Sequence, residues 1–386
     1  MRKVLYISGT RADYGPARRL LLKIHENSAF ELGILVTGMH LDPNHGDTWI
    51  EIEKDGLNIV EKVHGRVVGD TLAAMSASIG LYLYGMSYSI ERYKPDIVLV
   101  LGDRGEQLAG AMAATYQNIT VAHLCGGTLS GSIDDSIRHA ITKFAHYHFP
   151  GFNEAAETIS QMGEQPEHIK VVGLPGGDIK PDVTYTRSQI YKRYKLSEEK
   201  PYILIIQHSV TQSQSEAEYQ ITETLQAVAS LKLPVLLANP NDDAGGKIIL
   251  SKMKEYSEKN ENLHILEPPK SRELFASIMA HAGVIVGNSS SGVVEAMSVK
   301  TPVVNIGDRQ KGRESLAFLV NVDYKKEEIK QAIKKTLNDP DFYEDFKSFL
   351  TTGIISNTEE LIVKELEIMD LNVSNKPKEF FVWNNK

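Results

Sequence analysis

Short apolar segments rich in β-branched residues alternate with longer amphipathic segments along most of the chain. Continuous apolar strands separated by helices, such as the predicted helices Asp70–Tyr93 and Gln107–Tyr116, are typical of a parallel sheet covered on both faces. Two such series are predicted, separated by a Gly- and Pro-containing segment, 174–200. The predicted strands are Val4–Ser8, Leu32–Thr37, Ile97–Leu101, Thr120–Leu124 and Ile169–Val172, then Tyr202–Ile206, Val235–Ala238, Leu263–Leu266, Val284–Val286 and Val303–Ile306.

This repeated alternation predicts an α/β protein with two Rossmann-like domains that face each other across a cleft. We expect the first domain to span residues 1–178 and the second to span residues 179–354, with a helix in 355–386 packed back onto the first domain. In sheets of this kind, ligands bind beyond the carboxyl ends of the strands. Every loop that follows a predicted strand is therefore a candidate site.

Composition narrows the classes of function. The chain of 386 residues carries a net charge of −8, and its lysine-rich segments also contain acidic residues, which argues against a nucleic-acid partner. No apolar run approaches the roughly 20 residues of a membrane span. Cys125 is the only cysteine, so a disulfide within the chain is impossible and we expect a cytoplasmic protein.

The first two loops of the first domain carry charged residues. In Ser8–Gly15, Arg11 suits a phosphate or another anion, and a pair with a local carboxylate is the alternative. This loop has one glycine fewer than a dinucleotide fingerprint needs, so no NAD cofactor is predicted. After the strand Ile97–Leu101, Asp103 and Arg104 are expected at the edge of the cleft, with a helix cap as the alternative for Asp103.

The segment 123–148 combines a glycine loop with a pair of carboxylates. Asp134 and Asp135 lie in the first turn of a predicted helix, where the helix dipole stabilises anions, and Arg138 one turn later can orient them. Capping explains one of the two aspartates but not both. Asp103 at another strand end would complete a carboxylate cluster able to act as an acid or a base. The segment offers no tetrahedral set of ligands, so no metal is predicted.

The loops of the second domain indicate a nucleotide site. His208 follows the first predicted strand of this domain, and a structural role for it is the equal alternative. A later strand ends at Gly287 and is followed by serines and a predicted helix, so backbone N–H groups, hydroxyls and the helix dipole can bind a diphosphate. The residues assigned to this cradle are Ser289, Ser290, Ser291 and Gly292, with Glu295 as acceptor for the ribose hydroxyls and Arg309 in a basic loop after the next strand.

Seven motifs occur in order along most of the chain: GTRADYG, TGMHL, LGDR, SGSIDDSIRHAITKFAHYH, QHSVT, GNSSSGVVEA and GDRQKGRES. In this combination the chain resembles the UDP-N-acetylglucosamine 2-epimerases, specifically the hydrolysing branch of sialic- and legionaminic-acid biosynthesis. The resemblance implies the glycosyltransferase-B fold, in which two Rossmann-like domains enclose the substrate. It also implies an enzyme with a UDP-sugar substrate, no cofactor, and a homo-oligomeric state, either dimer or tetramer.

The chemistry that the resemblance implies is a hydrolysis with inversion at C2. The C2 proton of the sugar is removed and UDP leaves in an anti elimination, and water then adds to the 2-acetamidoglucal to give a free sugar of the N-acetylmannosamine type. A weakly acidic C–H needs a placed carboxylate base, and a leaving diphosphate needs cations and N–H donors. The implied catalytic residues are Asp103, Asp134, Asp135, Arg104 and His208, and the implied UDP contacts are Arg11, His208, Ser289, Ser290, Ser291, Gly292, Glu295 and Arg309.

The chain departs from this family in the loop after the predicted strand Thr120–Leu124. Relatives carry an acidic residue in patterns such as HxGGE, whereas Thr128 stands at that position here and Cys125 at an earlier one that is Glu or His in some relatives. Pro16 replaces a basic residue of some relatives. Three interpretations stay open: the aspartates suffice, the sugar differs, or the protein binds nucleotide sugars with little turnover. A glycosyltransferase of the same fold is the further alternative.

Overall fold

The computed structural model describes residues 1–69, 71–130, 133–177, 179–269, 271–290, 292, 295–296, 298–310, 319–338 and 357–382. Within these residues the chain forms two six-stranded sheets, and the paired neighbouring strands run parallel. None of the described helices combines the length and the apolar character that crossing a membrane requires.

The first sheet is built from the amino-terminal part of the chain. Helix formation there follows local signals: at Thr10 the chain forms a capping box, in which the Asp13 carboxylate accepts a hydrogen bond from the Thr10 backbone N–H. The elements are β1 (Arg2–Ser8), α1 (Arg11–Glu26), β2 (Phe30–Thr37), α2 (Trp49–Lys54), β3 (Ile59–Val63), α3 (Leu72–Tyr93), β4 (Ile97–Leu101), α4 (Gly105–Thr115), β5 (Thr120–Leu124), α5 (Ile133–Phe144), β6 (Tyr147–Phe149) and α6 (Asn153–Gln161).

The second sheet follows after a linker that contains a short helix. Its region comprises α7 (Arg187–Arg193), β7 (Ile203–Ile206), α8 (Ala217–Ala229), β8 (Val235–Leu237), α9 (Gly246–Lys259), β9 (Leu263–Ile265), α10 (Arg272–His281), β10 (Val284–Gly287), β11 (Val303–Ile306), β12 (Leu319–Val322) and α11 (Lys326–Asn338), followed by α12 (Thr358–Ile368). Turns of 3-10 helix lie at Gly38–Leu41, Pro43–His45, Pro166–His168, Lys180–Asp182, Thr211–Glu216, Asp308–Gln310 and Leu371–Asn375.

Both sheets have the same topology. The first has the order β3–β2–β1–β4–β5–β6 and the second has the order β12–β11–β10–β7–β8–β9. When the strands are counted within each domain and the second sheet is read from the β9 edge, the two orders are the same. In each sheet the order reverses between two central strands, β1 and β4 in the first and β7 and β10 in the second. Ligands bind at such reversal points, because the two flanking loops diverge and leave a crevice.

Each sheet has an apolar cluster on both faces, as expected for strands that are buried on both sides. Helix α12 returns to the first domain, where Ile362 and Leu366 pack into the core beside α1. Arg2 of β1 donates hydrogen bonds to the carbonyl groups of Leu366 and Met369 at the end of this helix. The carboxyl-terminal helix therefore packs on the first sheet, and the limits of the two domains stay a prediction.

Nine of the ten predicted strands are found within two residues of their expected bounds. The prediction of a strand at Ile169–Val172 is wrong: the sixth strand is β6, and Ile169 forms only an isolated bridge with His148. Three edge strands, β3, β6 and β12, were not predicted. β6 has only three residues, whereas β3 and β12 are only partly buried, so polar residues interrupt the apolar run that identifies a central strand.

Candidate active site

A cavity of about 920 Å³ lies where the carboxyl-end loops of the two sheets meet, a size suited to a small-molecule ligand. The predicted site residues that line this cavity are Arg11, Asp103, Arg104, Asp134, His208, Ser289, Ser290, Glu295 and Arg309. Asp135 and Gly292, which are also among the described residues, do not line it. Ser291 lies outside the described residues.

A buried arginine on α5 organises the carboxylates of the first domain. Arg138 is 1% exposed, and its guanidinium pairs with Asp103 at the end of β4 and, at 2.6 Å, with Asp135. It also donates a hydrogen bond of 2.6 Å to the Thr128 carbonyl. Asp135 accepts two further hydrogen bonds, from the backbone N–H and the hydroxyl of Ser130. Two of the three aspartates of the predicted cluster, Asp103 and Asp135, therefore share one buried guanidinium.

Asp134 has a different partner, in the other domain. Its Oδ2 accepts a hydrogen bond of 3.2 Å from Nη2 of Arg309, which lies in the turn after β11. The same guanidinium donates through Nη1 to the Asn288 carbonyl at 3.1 Å. The sequence gives no sign of this ion pair, because the two residues are 175 positions apart. The pair joins the carboxylate side of the cavity to the predicted phosphate side.

His208 is held as a neutral hydrogen-bond donor. Its Nδ1 accepts from the Asn241 backbone N–H at 3.1 Å, which leaves the proton on Nε2, 3.3 Å from the Ser289 hydroxyl. Burial, together with the nearby Arg309 and Arg104, lowers the pKa of His208 to about 3. At neutral pH the imidazole can therefore donate to an anion but does not add a charge.

The loops after β7 and β10 are tied together below the predicted cradle. The Asn288 carboxamide accepts from the His208 backbone N–H and donates to the His208 carbonyl. Gly287 has φ +144, and a Cβ there would collide with the Ile206 carbonyl oxygen, so only glycine allows this close approach. Ser289 and Ser290 follow directly and line the cavity. The assignment of this loop as a diphosphate cradle stays a prediction.

Two arginines on the first-domain side of the cavity differ in how closely they pair with carboxylates. Arg11 pairs with Glu51 of α2, with Nε at 2.9 Å, which is the local carboxylate that was the alternative to an anion site. Arg104 approaches Glu106 and Asp243 only at 3.5 and 3.9 Å, and its buried Nε has no hydrogen-bond partner among the described residues. Arg104 therefore keeps donor capacity for an anion in the cavity.

The loop after β5, in which the chain departs from the family pattern, also faces the cavity. Cys125 follows β5 in a left-handed backbone conformation, with φ +60, and Thr128 lies three residues later, both lining the cavity. Gly127 between them has φ +80, and a Cβ there would collide with the Ala155 carbonyl oxygen. The loop thus takes a defined shape in which neither side chain at the cavity is a carboxylate.

The structure adds residues that the sequence alone did not single out. Asp13, beneath the loop after β1, accepts hydrogen bonds from Ser8 and from the backbone of Gly9, and burial raises its pKa to about 7. Arg272 pairs with Glu295, the predicted ribose acceptor, at 2.9 Å. No spacing signal connects Arg272 to the cavity, because it lies at a helix start and its partners come from distant segments.

One group of possible metal ligands lies at the rim of the cleft. Asp42, His45 and Asp242 place one ligand atom each within 4.8 Å of one another. Arg66 pairs with both carboxylates, so a guanidinium already supplies the positive charge there. Because Asp242 belongs to the second domain, this group is an ion-paired contact between the domains.

Comparison with known sequences places the chain in a family. It matches the UDP-N-acetylglucosamine 2-epimerase family over residues 22–367. It is 38% identical over 341 residues to a UDP-N,N'-diacetylbacillosamine 2-epimerase (hydrolyzing) of Legionella pneumophila, over 88% of this chain and 90% of that protein. It is 32% identical over 338 residues to a UDP-N-acetylglucosamine 2-epimerase of Neisseria meningitidis serogroup B, over 87% of each chain.

Solved structures share the fold. The UDP-GlcNAc 2-epimerase from Neisseria meningitidis bound to UDP-GlcNAc has a TM-score of 0.80 at 18% identity, over 94% of this chain and 99% of that one. The S. aureus MnaA–UDP structure has a TM-score of 0.80 at 20% identity, over 99% and 100%. These similarities confirm the predicted α/β fold with two Rossmann-like domains. By its sequence match over most of its length, the chain belongs to the UDP-N-acetylglucosamine 2-epimerase family.

Proposed function

We propose that this chain is a hydrolysing 2-epimerase, which converts a UDP-2-acetamido sugar and water into UDP and the free C2 epimer. The observation that carries the proposal is that carboxylates and the serines of the predicted anion cradle line one cavity. Asp103 and Asp134 line it from the first domain, and Ser289, Ser290 and Arg309 line it from the second. The relatives at 38% and 32% identity are 2-epimerases by name, which supports the same activity here.

The nucleotide half of the substrate is assigned to the second domain. The serine hydroxyls after β10 and the Nε2–H of His208 donate to the diphosphate, and the guanidinium groups of Arg104 and Arg309 balance its charge. Glu295 accepts the ribose hydroxyls. Positive charge at this point lowers the barrier for UDP to leave, because the negative charge on the leaving diphosphate grows as the C1–O bond breaks.

The sugar half is assigned to the carboxylates of the first domain. Asp103 is the proposed base: it takes the C2 proton, the C–H electrons form the C1=C2 bond, and the C1–O bond to UDP breaks. Water then adds its hydroxyl to C1 of the glycal, and C2 takes a proton from the opposite face, so the sum is UDP-sugar plus water to UDP plus epimer. Asp135 acts through Arg138, and Asp134 holds Arg309 towards the diphosphate.

Proton NMR in D₂O tests this function directly. UDP-N-acetylglucosamine and a UDP-2,4-diacetamido-6-deoxy sugar are each incubated with the protein, and UDP release and the free sugar are followed. We expect free 2-epimer with deuterium at C2, because the proton returned in the second step comes from solvent. Release of UDP with retained C2 hydrogen and configuration would contradict the elimination. No UDP release from either donor would contradict the function.

Thr128 supports one competing function, a nucleotide-sugar binding protein with little turnover. Neither Thr128 nor Cys125 is a base near neutral pH without strong activation. By resemblance, Thr128 stands where relatives carry an acidic residue, and Cys125 stands where some carry Glu or His. Under this second hypothesis the protein binds UDP in calorimetry but releases none from a UDP-sugar, and Thr128→Glu restores turnover. Under the first, the wild type turns over. A glycosyltransferase would need an added acceptor for product formation, which the same NMR assay detects.

We infer that the preferred sugar carries a methyl group at C5, as in a 6-deoxy sugar, and an acetamido group at C4. Leu129, Phe152 and Ala155 line the cavity beside Thr128, and such a surface favours a methyl group over a hydroxymethyl group. The 38% identical relative acts, by its name, on UDP-N,N'-diacetylbacillosamine. We expect the kcat/KM ratio for the diacetamido donor over UDP-N-acetylglucosamine to be about 10 or more. A ratio below one would refute this choice of sugar.

A homo-oligomer, a dimer in the simplest case, is proposed from one face of α3. Residues 71–90 contain no charged side chain, and Leu81, Tyr84 and Tyr88, which lie on one face of α3 at spacings of three and four residues, are each about half exposed or more. A contiguous uncharged helix face is typical of a surface that a partner covers. Light scattering should give a multiple of the 42.9 kDa chain mass, and Leu81→Glu should give the monomer. A monomeric wild type would contradict the proposal.

We also propose that the protein works in the cytoplasm. The proposal rests on the single cysteine, Cys125, which makes an intrachain disulfide impossible. Cell fractionation with an antibody to the chain tests it, and recovery from the periplasm or the medium would contradict it.

A further inference from the structure

Arg272, the first residue of α10, connects three segments of the chain at one end of the cavity. Its Nε donates to Asp182 in the linker at 2.9 Å, and its Nη1 donates to Oε1 of Glu295 at 2.9 Å. Its Nη2 lies 3.4 Å from the Gly176 carbonyl, also in the linker. One guanidinium therefore holds the proposed ribose acceptor and the segment that joins the two domains.

The surroundings of Arg272 make these contacts strong. Its side chain is 13% exposed, and those of Asp182 and Glu295 are 8% and 7% exposed, so water screens the charges little. Two buried carboxylates share the one cation. Removing it leaves both without a counter-charge, which is far more costly than losing an exposed pair.

The first domain also touches this guanidinium. A Cβ added at Gly15 of α1 would lie 2.5 Å from Nη1 of Arg272, so the backbone of α1 runs directly against it. Gly176, with φ +62, packs against the backbone of Pro16 in the same helix. Arg272 thus lies at the point where the first domain, the linker and the nucleotide site of the second domain meet.

We propose that Arg272 is a positioning residue, which orients Glu295 for the ribose and couples that orientation to the place of α1 in the first domain. The inference rests on the proposed function, because it assumes that Glu295 binds UDP. Arg272 engages Oε1 of Glu295, and Oε2 is assigned to the ribose hydroxyls. The planar fork of arginine reaches Asp182, Glu295 and the linker carbonyl together, whereas lysine offers a single point of charge.

Substitutions of Arg272 give the first measurement. In Arg272→Met, Glu295 loses its counter-charge, and we expect the UDP dissociation constant in calorimetry to rise about 10- to 100-fold. In Arg272→Lys the charge stays but the fork is lost, and we expect a rise of about 10-fold. Arg193→Met, a change at an exposed arginine of α7, is the matched control and should leave the dissociation constant unchanged. With UDP-sugar, KM should rise by the same factor while kcat stays within about threefold, because Glu295 holds the nucleotide and not C2.

A cycle of substitutions across the two domains separates positioning from simple structural damage. Gly15→Ala pushes a methyl group against the guanidinium, and we expect UDP binding to weaken about 5- to 10-fold although Gly15 belongs to the other domain. In an Arg272→Lys background the flexible ammonium can move aside, so the same change should weaken binding by less than about twofold. A general loss of stability would affect both backgrounds equally. Equal weakening in both backgrounds would overturn the inference.

The outcomes also distinguish the inference from the function beneath it. A wild-type chain that does not bind UDP would overturn the proposed nucleotide site, and the inference with it. If Arg272→Lys binds UDP as tightly as the wild type does, the inference is wrong while the proposed nucleotide site stands. Where Arg272→Met does not fold, Arg272→Lys and Gly15→Ala carry the test, because both keep the buried carboxylates paired with a cation.

Discussion

Arg138 is the residue whose removal should affect the first domain most. Its guanidinium, 1% exposed, bridges Asp103 and Asp135 and donates to the Thr128 carbonyl. In Arg138→Met the aliphatic volume is kept while the charge and the donors are lost. Two carboxylates then face each other without a cation, and a carbonyl loses its donor. We expect both a less stable domain and an inactive enzyme.

The size of the effect follows from burial. Breaking a buried ion pair by removing one partner costs about 3–5 kcal/mol. Each carboxylate side chain is 25% exposed and keeps some hydration, so we place the cost near the lower limit, at about 3 kcal/mol. For a domain of this size, 3 kcal/mol lowers the unfolding midpoint by about 6–12 °C. Turnover should fall about 10²–10⁴-fold, because Asp103 is no longer held in place.

Thermal unfolding and urea unfolding measure the stability, and UDP calorimetry checks the nucleotide site. Arg92→Met is the control: Arg92 is 62% exposed and pairs with Glu61, so its loss should change the free energy of unfolding by less than about 0.5 kcal/mol. UDP affinity of Arg138→Met should stay within about threefold of wild type. A change of stability no larger than that of the control would refute the idea that the aspartates depend on Arg138.

Three other predictions concern single sites. Asp103→Asn should lower UDP release about 10²–10⁴-fold with UDP affinity nearly unchanged, and retained turnover would exclude Asp103 as the base. Gly287→Ala should destabilise the second domain by more than about 3 kcal/mol in urea, since its Cβ collides with the Ile206 carbonyl oxygen; a smaller loss would mean that the β10 loop adapts. Burial raises the pKa of Asp13 from 3.8 to about 7, so between these pH values the unfolded chain releases a proton that the folded chain keeps. The free energy of unfolding should therefore fall as pH rises through this window, and Asp13→Asn should flatten that slope in urea titrations; an unchanged slope would contradict the shift.

The central strands could be predicted because their physical signal is local. β4 and β5 were found with their observed bounds: β4 is an uninterrupted apolar run, β5 is apolar apart from Thr120 and His123, and both strands are almost fully buried in the sheet. The edge strand β3 contains Glu61 and Lys62 and gave no such signal. The wrong strand at Ile169–Val172 has a different cause, because a short, mostly apolar run does not by itself show whether it pairs with a neighbouring strand.

Candidate site residues could be found by their position after strands, but their partners could not. Asp103, Asp134 and His208 line the cavity as their loops suggested, although their roles stay predictions. The partner of Arg11 proved to be Glu51, and the reach of Arg138 to two aspartates was only partly visible from helix spacing. Ion pairs within one helix can be predicted from helical periodicity, whereas ion pairs between distant segments depend on the three-dimensional fold.

The sequence by itself determined the class of fold, the family, and the loops in which chemistry can occur, because apolar periodicity, turn residues and motifs are properties of neighbouring positions. Only the tertiary structure decided which charges meet. Asp134 pairs with Arg309 across the domain boundary, and Arg272 joins Glu295 to the linker and to α1. Such contacts depend on the packing of two sheets and their connections, and short-range electrostatics then makes a displacement of a few ångströms decisive.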